Sequence, residues 1–103
     1  MAERESNAPL RRAIRYLFIL QGQCFQGVRL KQIAESMSIH PSMALRDLET
    51  LAEEGVVERI VGREEYWRLT PKPVQLSRAL AEELDTLRRK TDDFDTRYTR
   101  LPN

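Results

Sequence analysis

Within residues 30–69 the hydrophobic period changes once, from helical to strand-like, and that change limits the folds open to the chain. Leu30, Ile33, Ala34 and Met37 stand at i, i+3, i+4 and i+7, so a helix there carries all four on one buried stripe. Only Ser38, Ile39 and His40 separate it from a second helical stretch. Pro41 suits a first helical position, where its missing N–H has no partner to lose. Ala44, Leu48, Leu51 and Ala52 form the next stripe, and Gly55 ends it. Residues 56–61 and 66–70 are β-branched, aromatic and alternating, and 62–65 between them have the length of a hairpin turn. Helix, short turn, helix and hairpin together are the plan of a winged helix-turn-helix. The expected fold class is therefore mainly α with a small β-hairpin (α+β).

The flanks extend that plan. A first helix is expected from Asn7 or Ala8, with Pro9 early in it and Leu10, Ala13, Ile14, Leu17 and Phe18 as its core face. Arg11, Arg12 and Arg15 then fall opposite, either as solvated surface or facing a phosphate or a partner. Residues 21–27 read as a loop, and Val28 and Arg29 as a very short strand beside the wing. After Thr70, Pro71 and Pro73 end the hairpin, because proline cannot donate to a ladder. Leu80, Leu84, Leu87, Thr91, Phe94 and Tyr98 are spaced 4, 3, 4, 3 and 4 residues apart, a heptad seam of about two and a half repeats. Thr91 and the acids Asp92, Asp93 and Asp95 weaken that seam, so fraying is expected after Lys90. The helix either packs on the first helix of its own domain or joins two copies through Leu80, Leu84, Leu87, Phe94 and Tyr98. Tyr16, Ile19 and Leu20, partly off the expected core face, are the surface that would receive such a helix. The expected organisation is a winged domain over 8–72, a C-terminal amphipathic helix over 74–99, and flexible termini at 1–7 and 100–103.

At 103 residues the chain has room for one small domain and none for a separate ligand-binding domain of ordinary size. A hydrophobic share of 41% beside 32% charged residues is that of a soluble globular protein, and no apolar run has the length of a membrane span. The polar start resembles neither a secretory signal nor a transit peptide, and one cysteine, Cys24, forms no internal disulfide. The expected compartment is the cytoplasm. Formal net charge is only +1, and its distribution is uneven: residues 41–55 hold one arginine against four acids, whereas 56–73 hold four bases against three acids. Phosphate contacts must therefore come largely from the flanks of the second helix, with modest non-specific affinity.

Residues 12–76 resemble the DNA-binding domain of the IclR family of bacterial regulators, with a looser similarity to MarR-type winged helices. The similarity lies in Arg12, Ala13 and Ile14; Leu30, Ile33, Ala34 and Met37; Ser42, Ala44, Arg46, Leu48 and Leu51; Glu53, Gly55, Val57, Glu58 and Arg59; and Trp67, Arg68 and Leu69. Members of that family continue into an effector domain that the 103 residues here do not include, so the expectation is a stand-alone DNA-binding module, of bacterial or phage type. It also implies that the recognition helix, 41–54, lies in the major groove with its amino-terminal half towards the bases, and that the wing, 57–70, meets the backbone or minor groove. Ser42, Met43, Leu45 and Arg46 are then the readers. Arg46 is the strongest of them, since a guanidinium reaches guanine O6 and N7 with two bonds; its alternative is an ion pair with Glu49 or Glu53. Ser42 suits a phosphate or a simple cap, and Leu45 sits at the edge of the buried stripe. Lys31, Arg59 and Arg63, the last at the wing tip, are the expected phosphate or minor-groove contacts. Trp67 and Leu69 share a strand face that belongs to the core.

Cys24 and His40 are the only candidates for nucleophile and base, and neither has a supporting motif. One Cys and one His fall short of a metal site, and no glycine-rich phosphate loop is present. The expectation is a non-enzyme without metal or cofactor, whose partners are double-stranded DNA and a second copy of itself. The competing expectation is a protein-interaction module, with Met43 and Leu45 turned to a host protein.

Overall fold

The computed structural model describes residues 7–100; the outer parts of both expected flexible termini, 1–6 and 101–103, lie outside them. In order, the elements are α1 (Ala8–Leu20), β1 (Val28–Arg29), α2 (Leu30–Met37), α3 (Pro41–Glu53), β2 (Val57–Ile60), β3 (Arg63–Leu69) and α4 (Pro71–Thr99). This is the α+β winged-helix architecture. The three strands form an antiparallel sheet in the order β1-β3-β2. Val28 pairs with Trp67 across one edge and Arg59 with Trp67 across the other, which puts the indole at the middle of the sheet.

Tyr16 and Leu20 from α1, Ile33 from α2, Leu48 from α3, Val57 from β2 and Trp67 from β3 meet in one core. Every element of the winged unit except β1 therefore supplies at least one fully buried side chain. The stripes of α2 and α3 are as expected, with Ile33, Ala34, Ala44 and Leu48 buried and Leu30, Met37, Leu51 and Ala52 half-buried around them.

On α1 the expected face is rotated: Ala13 and Leu17 are half-buried and Arg11 and Arg15 exposed as expected, but the rest of the face is turned outwards. Tyr16 and Leu20 are fully buried and Ile19 packs against the core, whereas Leu10, Ile14 and Phe18 are 63%, 50% and 65% exposed. Tyr16, Ile19 and Leu20 are thus interior residues, already occupied within the winged unit. The helix carries two apolar stripes, and polar chemistry decides between them. Arg12 and Tyr16, one turn apart, both bond to Asp47 on α3, and only the Tyr16 side of α1 lets them do so. Arg12 is accordingly part-buried and paired, not a solvated arginine.

The wing also differs in register. Its turn is only Val61 and Gly62, because β3 begins at Arg63, opposite Ile60 across a bulge at Arg59 and Ile60. Gly62 supplies the positive φ, 83°, that the tight reversal requires, and its N–H donates to the Glu64 carboxylate. The exposed tip residue is Val61, so Arg63 lies on the strand beyond it.

Pro71 and Pro73 open α4 and do not precede it. Both fit the first turn, where an N–H has no helical acceptor, and the Thr70 hydroxyl accepts the Lys72 N–H at 3.2 Å as a cap. At its other end α4 runs, as expected, to Thr99, and the helix continues through the acids after Lys90. The described residues divide into two compact units, one ending at Lys72 and one beginning at Pro73.

Candidate nucleic-acid interface

His40 builds the amino-terminal end of α3. Its carbonyl accepts the N–H of Met43 at 3.0 Å and of Ala44 at 3.1 Å, and its ring Nδ1 accepts the N–H of Ser42 at 3.2 Å. The Ser42 hydroxyl stands 2.8 Å from the same Nδ1. An accepting Nδ1 puts the neutral ring's proton on Nε2, on the far side of the imidazole. Both donors of Ser42 are thereby taken, and the outward Nε2–H is the donor left at this helix end. Ser42, expected at a phosphate or as a simple cap, is bonded to the imidazole, and the residue that caps α3 is His40.

Beyond that cap α3 displays Ser42, Met43 and Arg46, and it holds Leu45 half-buried against the core. Met43 is 42% exposed. Arg46 is exposed and makes no ion pair among the described residues, so the alternative pairing with Glu49 or Glu53 is not found there. Its carbonyl accepts from the Thr50 hydroxyl at 3.1 Å, a bond within the helix that leaves the guanidinium unengaged.

The acidic character of the helix is offset from outside it. Asp47 receives Arg12 Nε at 2.6 Å and the Tyr16 hydroxyl at 2.6 Å on one oxygen, and a second Arg12 nitrogen at 3.2 Å on the other. Burial pushes the Asp47 carboxyl up, but the bonds from Arg12 and Tyr16, and the charges of Arg12 and Arg46, outweigh it and leave the pKa below the usual carboxylate range. Burial, and then the bond to Asp47, raise the Tyr16 phenol. The Asp47 bond in turn raises the Arg12 guanidinium. Glu49 is met by Arg59 at 3.4 Å. Two of the helix's acids are therefore neutralised locally, and Arg46 projects from a less negative surface than composition indicates. The Arg12–Tyr16–Asp47 cluster was missed in the sequence; the one available signal is that residues 12 and 16 share a helix face.

The flanking cations divide. Lys31 is exposed near the start of α2, and with Arg29, Leu30, Pro41 and Glu65 it lines a recess against the start of α3. Arg59 lies over the Trp67 ring at 4.7 Å and donates to the Glu64 carbonyl at 3.1 Å as well as to Glu49, so it is held down on the sheet. Arg63 lies over Tyr66 at 3.8 Å and donates to the Gln26 carbonyl at 3.2 Å. The recess that Arg63 lines takes no residue from α3. Structure thus brings Lys31 beside the start of α3 and Arg59 beside its Glu49, and leaves Arg63 apart. Arg29, which sequence reasoning placed only in a short strand, is bonded to Glu65 at 2.9 Å; that bond raises its pKa.

Among the described residues no group of three or more His, Cys, Asp or Glu could hold a metal, and no helix is long and apolar enough to cross a membrane. Cys24 is exposed and free.

No family model matches the chain, and no curated protein does. Two similar solved structures are both of Lactococcus lactis ZitR. The first, a variant with one cysteine-to-serine change, is 22% identical with a TM-score of 0.51, over 86% of this chain and 62% of that one. The second, a doubly substituted variant in apo form, is 20% identical with a TM-score of 0.53, over 93% of this chain and 74% of that one. The chain thus spans less than two thirds of the first of these structures. At this identity the likeness is one of fold, and the fold is the winged helix; none of the comparisons supports the narrower resemblance to the IclR family.

Proposed function

We propose that the protein is a small sequence-specific DNA-binding transcriptional regulator that acts as a dimer. α3 enters the major groove through its amino-terminal half, and the wing rests on the backbone or the minor groove. The observation that carries this reading is the free guanidinium of Arg46 on the exposed face of α3, beside acids already held by Arg12 and Arg59. A planar fork in that position suits a guanine edge, which accepts two parallel bonds. Met43 and Leu45 flank it, Met43 with enough exposed surface to touch a thymine methyl and Leu45 as a packing residue that fixes the helix. Lys31 and the His40 Nε2–H border the same end of α3 and suit phosphate oxygens, with Arg59 and Arg63 as secondary contacts on the wing. The winged-helix likeness to ZitR supports the reading at the level of fold.

Selection of the full chain on random duplexes at low salt tests it. The expected result is an enriched site with two related halves; no enrichment would refute the regulator reading. On the enriched site Arg46→Ala should cost about 1–3 kcal/mol and relax one base position, whereas Lys31→Ala should weaken all sequences alike and lower the salt slope by about 1. Exposed Met43 favours one other reading, a surface for protein. In that case Met43→Ala would abolish binding to the partner while Arg46→Ala left it unchanged.

A further inference from the structure

The exposed seam of α4 has one arrangement of two copies that satisfies both its apolar and its charged residues. Leu80, Leu84, Leu87, Phe94 and Tyr98 are 57%, 50%, 55%, 62% and 68% exposed, and no residue of α4 is buried. Taking Leu84, Thr91 and Tyr98 as heptad position a and Leu80, Leu87 and Phe94 as d, the flanking g positions are Glu83, Lys90 and Arg97 and the flanking e positions are Ala81, Arg88 and Asp95. The residues that weaken this seam in the sequence do not break it in the structure. Asp92 and Asp93 fall at the outer b and c positions. The Thr91 hydroxyl donates to the Leu87 carbonyl at 3.0 Å, so its polar group is satisfied within its own helix and its methyl is left for the seam. Phe94 and Tyr98 stack at 4.4 Å and extend the apolar strip to the last turn.

We infer that the partner of this seam is a second copy of α4, running parallel and in register. In a parallel pair each g residue faces the partner's e residue five positions further on. Glu83 then meets the partner's Arg88 and Lys90 meets the partner's Asp95, with no like-charge pair. Every a and d residue faces its own equivalent, leucine on leucine and aromatic on aromatic. Antiparallel registers do worse. With Leu84 against the partner's Leu87, Glu83 still finds the partner's Lys90, but Phe94 falls opposite Ser77 and Tyr98 opposite Pro73. With Leu84 against the partner's Phe94 the aromatics are covered and Glu83 meets the partner's Arg97, but Arg88 faces the partner's Arg88 and Lys90 the partner's Lys90, so the two repulsive pairs offset the attractive ones, whereas every charged pair of the parallel form is attractive. Charge and apolar content select the parallel form together. The inference rests on the dimer of the proposed function and adds its orientation, which sets the amino-terminal ends of the two α4 helices side by side, about 8–10 Å apart.

Cross-linking and charge exchange test it in the full chain without DNA. In a Cys24→Ser background, Thr91→Cys should give a disulfide-linked dimer on mild oxidation, because only the parallel register opposes residue 91 to itself. Glu83→Lys should weaken self-association by about tenfold in sedimentation, and adding Arg88→Glu should restore it. Helix content by circular dichroism and the Trp67 fluorescence of the winged unit report that each variant still folds. Rescue of Glu83→Lys by Lys90→Glu in place of Arg88→Glu, absence of the cross-link, or a monomer at every concentration would each overturn the inference. A chain that cross-links as expected yet enriches no DNA sequence would sink the regulator reading and leave this one standing. A monomer that selects a site would do the reverse.

Discussion

Asp47 is the residue on which the winged unit's polar packing turns. Its carboxylate accepts two nitrogens of Arg12 and the Tyr16 hydroxyl, and those bonds fix which side of α1 faces α3. Because the site is part-buried, removing the charge leaves Arg12 and Tyr16 short of a partner in a region water reaches poorly. Asp47→Asn should cost about 1–3 kcal/mol, and Tyr16→Phe, which loses one bond to a charged acceptor, about 1–2 kcal/mol. Urea unfolding followed by the fluorescence of the single, buried Trp67 measures both, and no loss in Asp47→Asn would show that apolar contacts alone orient α1. The pH dependence follows from the same three groups. The folded pKa of Asp47 lies below its unfolded value, so its contribution is complete above about pH 4 and is lost as pH falls through the folded value. Tyr16 is shifted the other way: its neutral phenol is favoured by the fold, so that contribution is present below about pH 10 and is lost as pH rises towards the folded value. The unfolding midpoint of the native chain should therefore decline at both ends, and Asp47→Asn should flatten the acid limb.

Elements were legible from the sequence where one apolar stripe settled the matter. α2 and α3 each have a single stripe, a three-residue junction separates them and Pro41 starts the second, and both fold as their spacing dictates. α1 has two, Leu10, Ile14 and Phe18 against Tyr16, Ile19 and Leu20, and a helical wheel does not say which is inside; the answer sits 31 residues away in Asp47. The start of β3 was hidden by composition. Glu64 and Glu65 are poor strand formers by propensity, but Arg29 across the sheet pairs with Glu65, and cross-strand pairing outweighs local preference. The site followed the same rule. Arg46 is where helical spacing puts it, whereas the commitments of Ser42 to His40 and of Arg59 to Trp67, Glu64 and Glu49 depend on contacts that spacing does not encode. One loop offers a test of how tightly these elements meet. Gly27 has φ +78°, and a Cβ there would stand 2.5 Å from Ile60 Cδ1 and 3.0 Å from the Trp67 carbonyl oxygen; Gly22 has φ +75° and open space. Gly22→Ala should cost about 1–2 kcal/mol for its backbone alone. Gly27→Ala should cost clearly more, since the terminal methyl of Ile60 can move but the Trp67 carbonyl belongs to the sheet. Equal losses in thermal unfolding would mean that the β1–β3 edge gives way without penalty.

For the whole molecule the deciding quantity is charge. On the proposed reading, a net charge of +1 and an arginine on α3 without an ion pair among the described residues give a single winged unit little electrostatic affinity for DNA, so the proposal requires two units acting together. In a dimer joined through α4, as proposed, the second half-site contact would be intramolecular, and such linkage raises apparent affinity by about 10²–10⁴ without any new contact. Leu84→Asp combined with Leu87→Asp isolates this term, because both side chains are about half exposed and neither belongs to the winged core. The doubly substituted chain should sediment as a monomer, keep the Trp67 unfolding midpoint of the native protein, and bind a single half-site duplex as the native chain does. On a duplex with two half-sites its affinity should fall by roughly 10²–10⁴. Fluorescence anisotropy on the two duplexes separates the possibilities. An equal loss on both would place the leucines in the DNA contact itself, and no loss on either would show that one winged unit suffices and that α4 serves some other association.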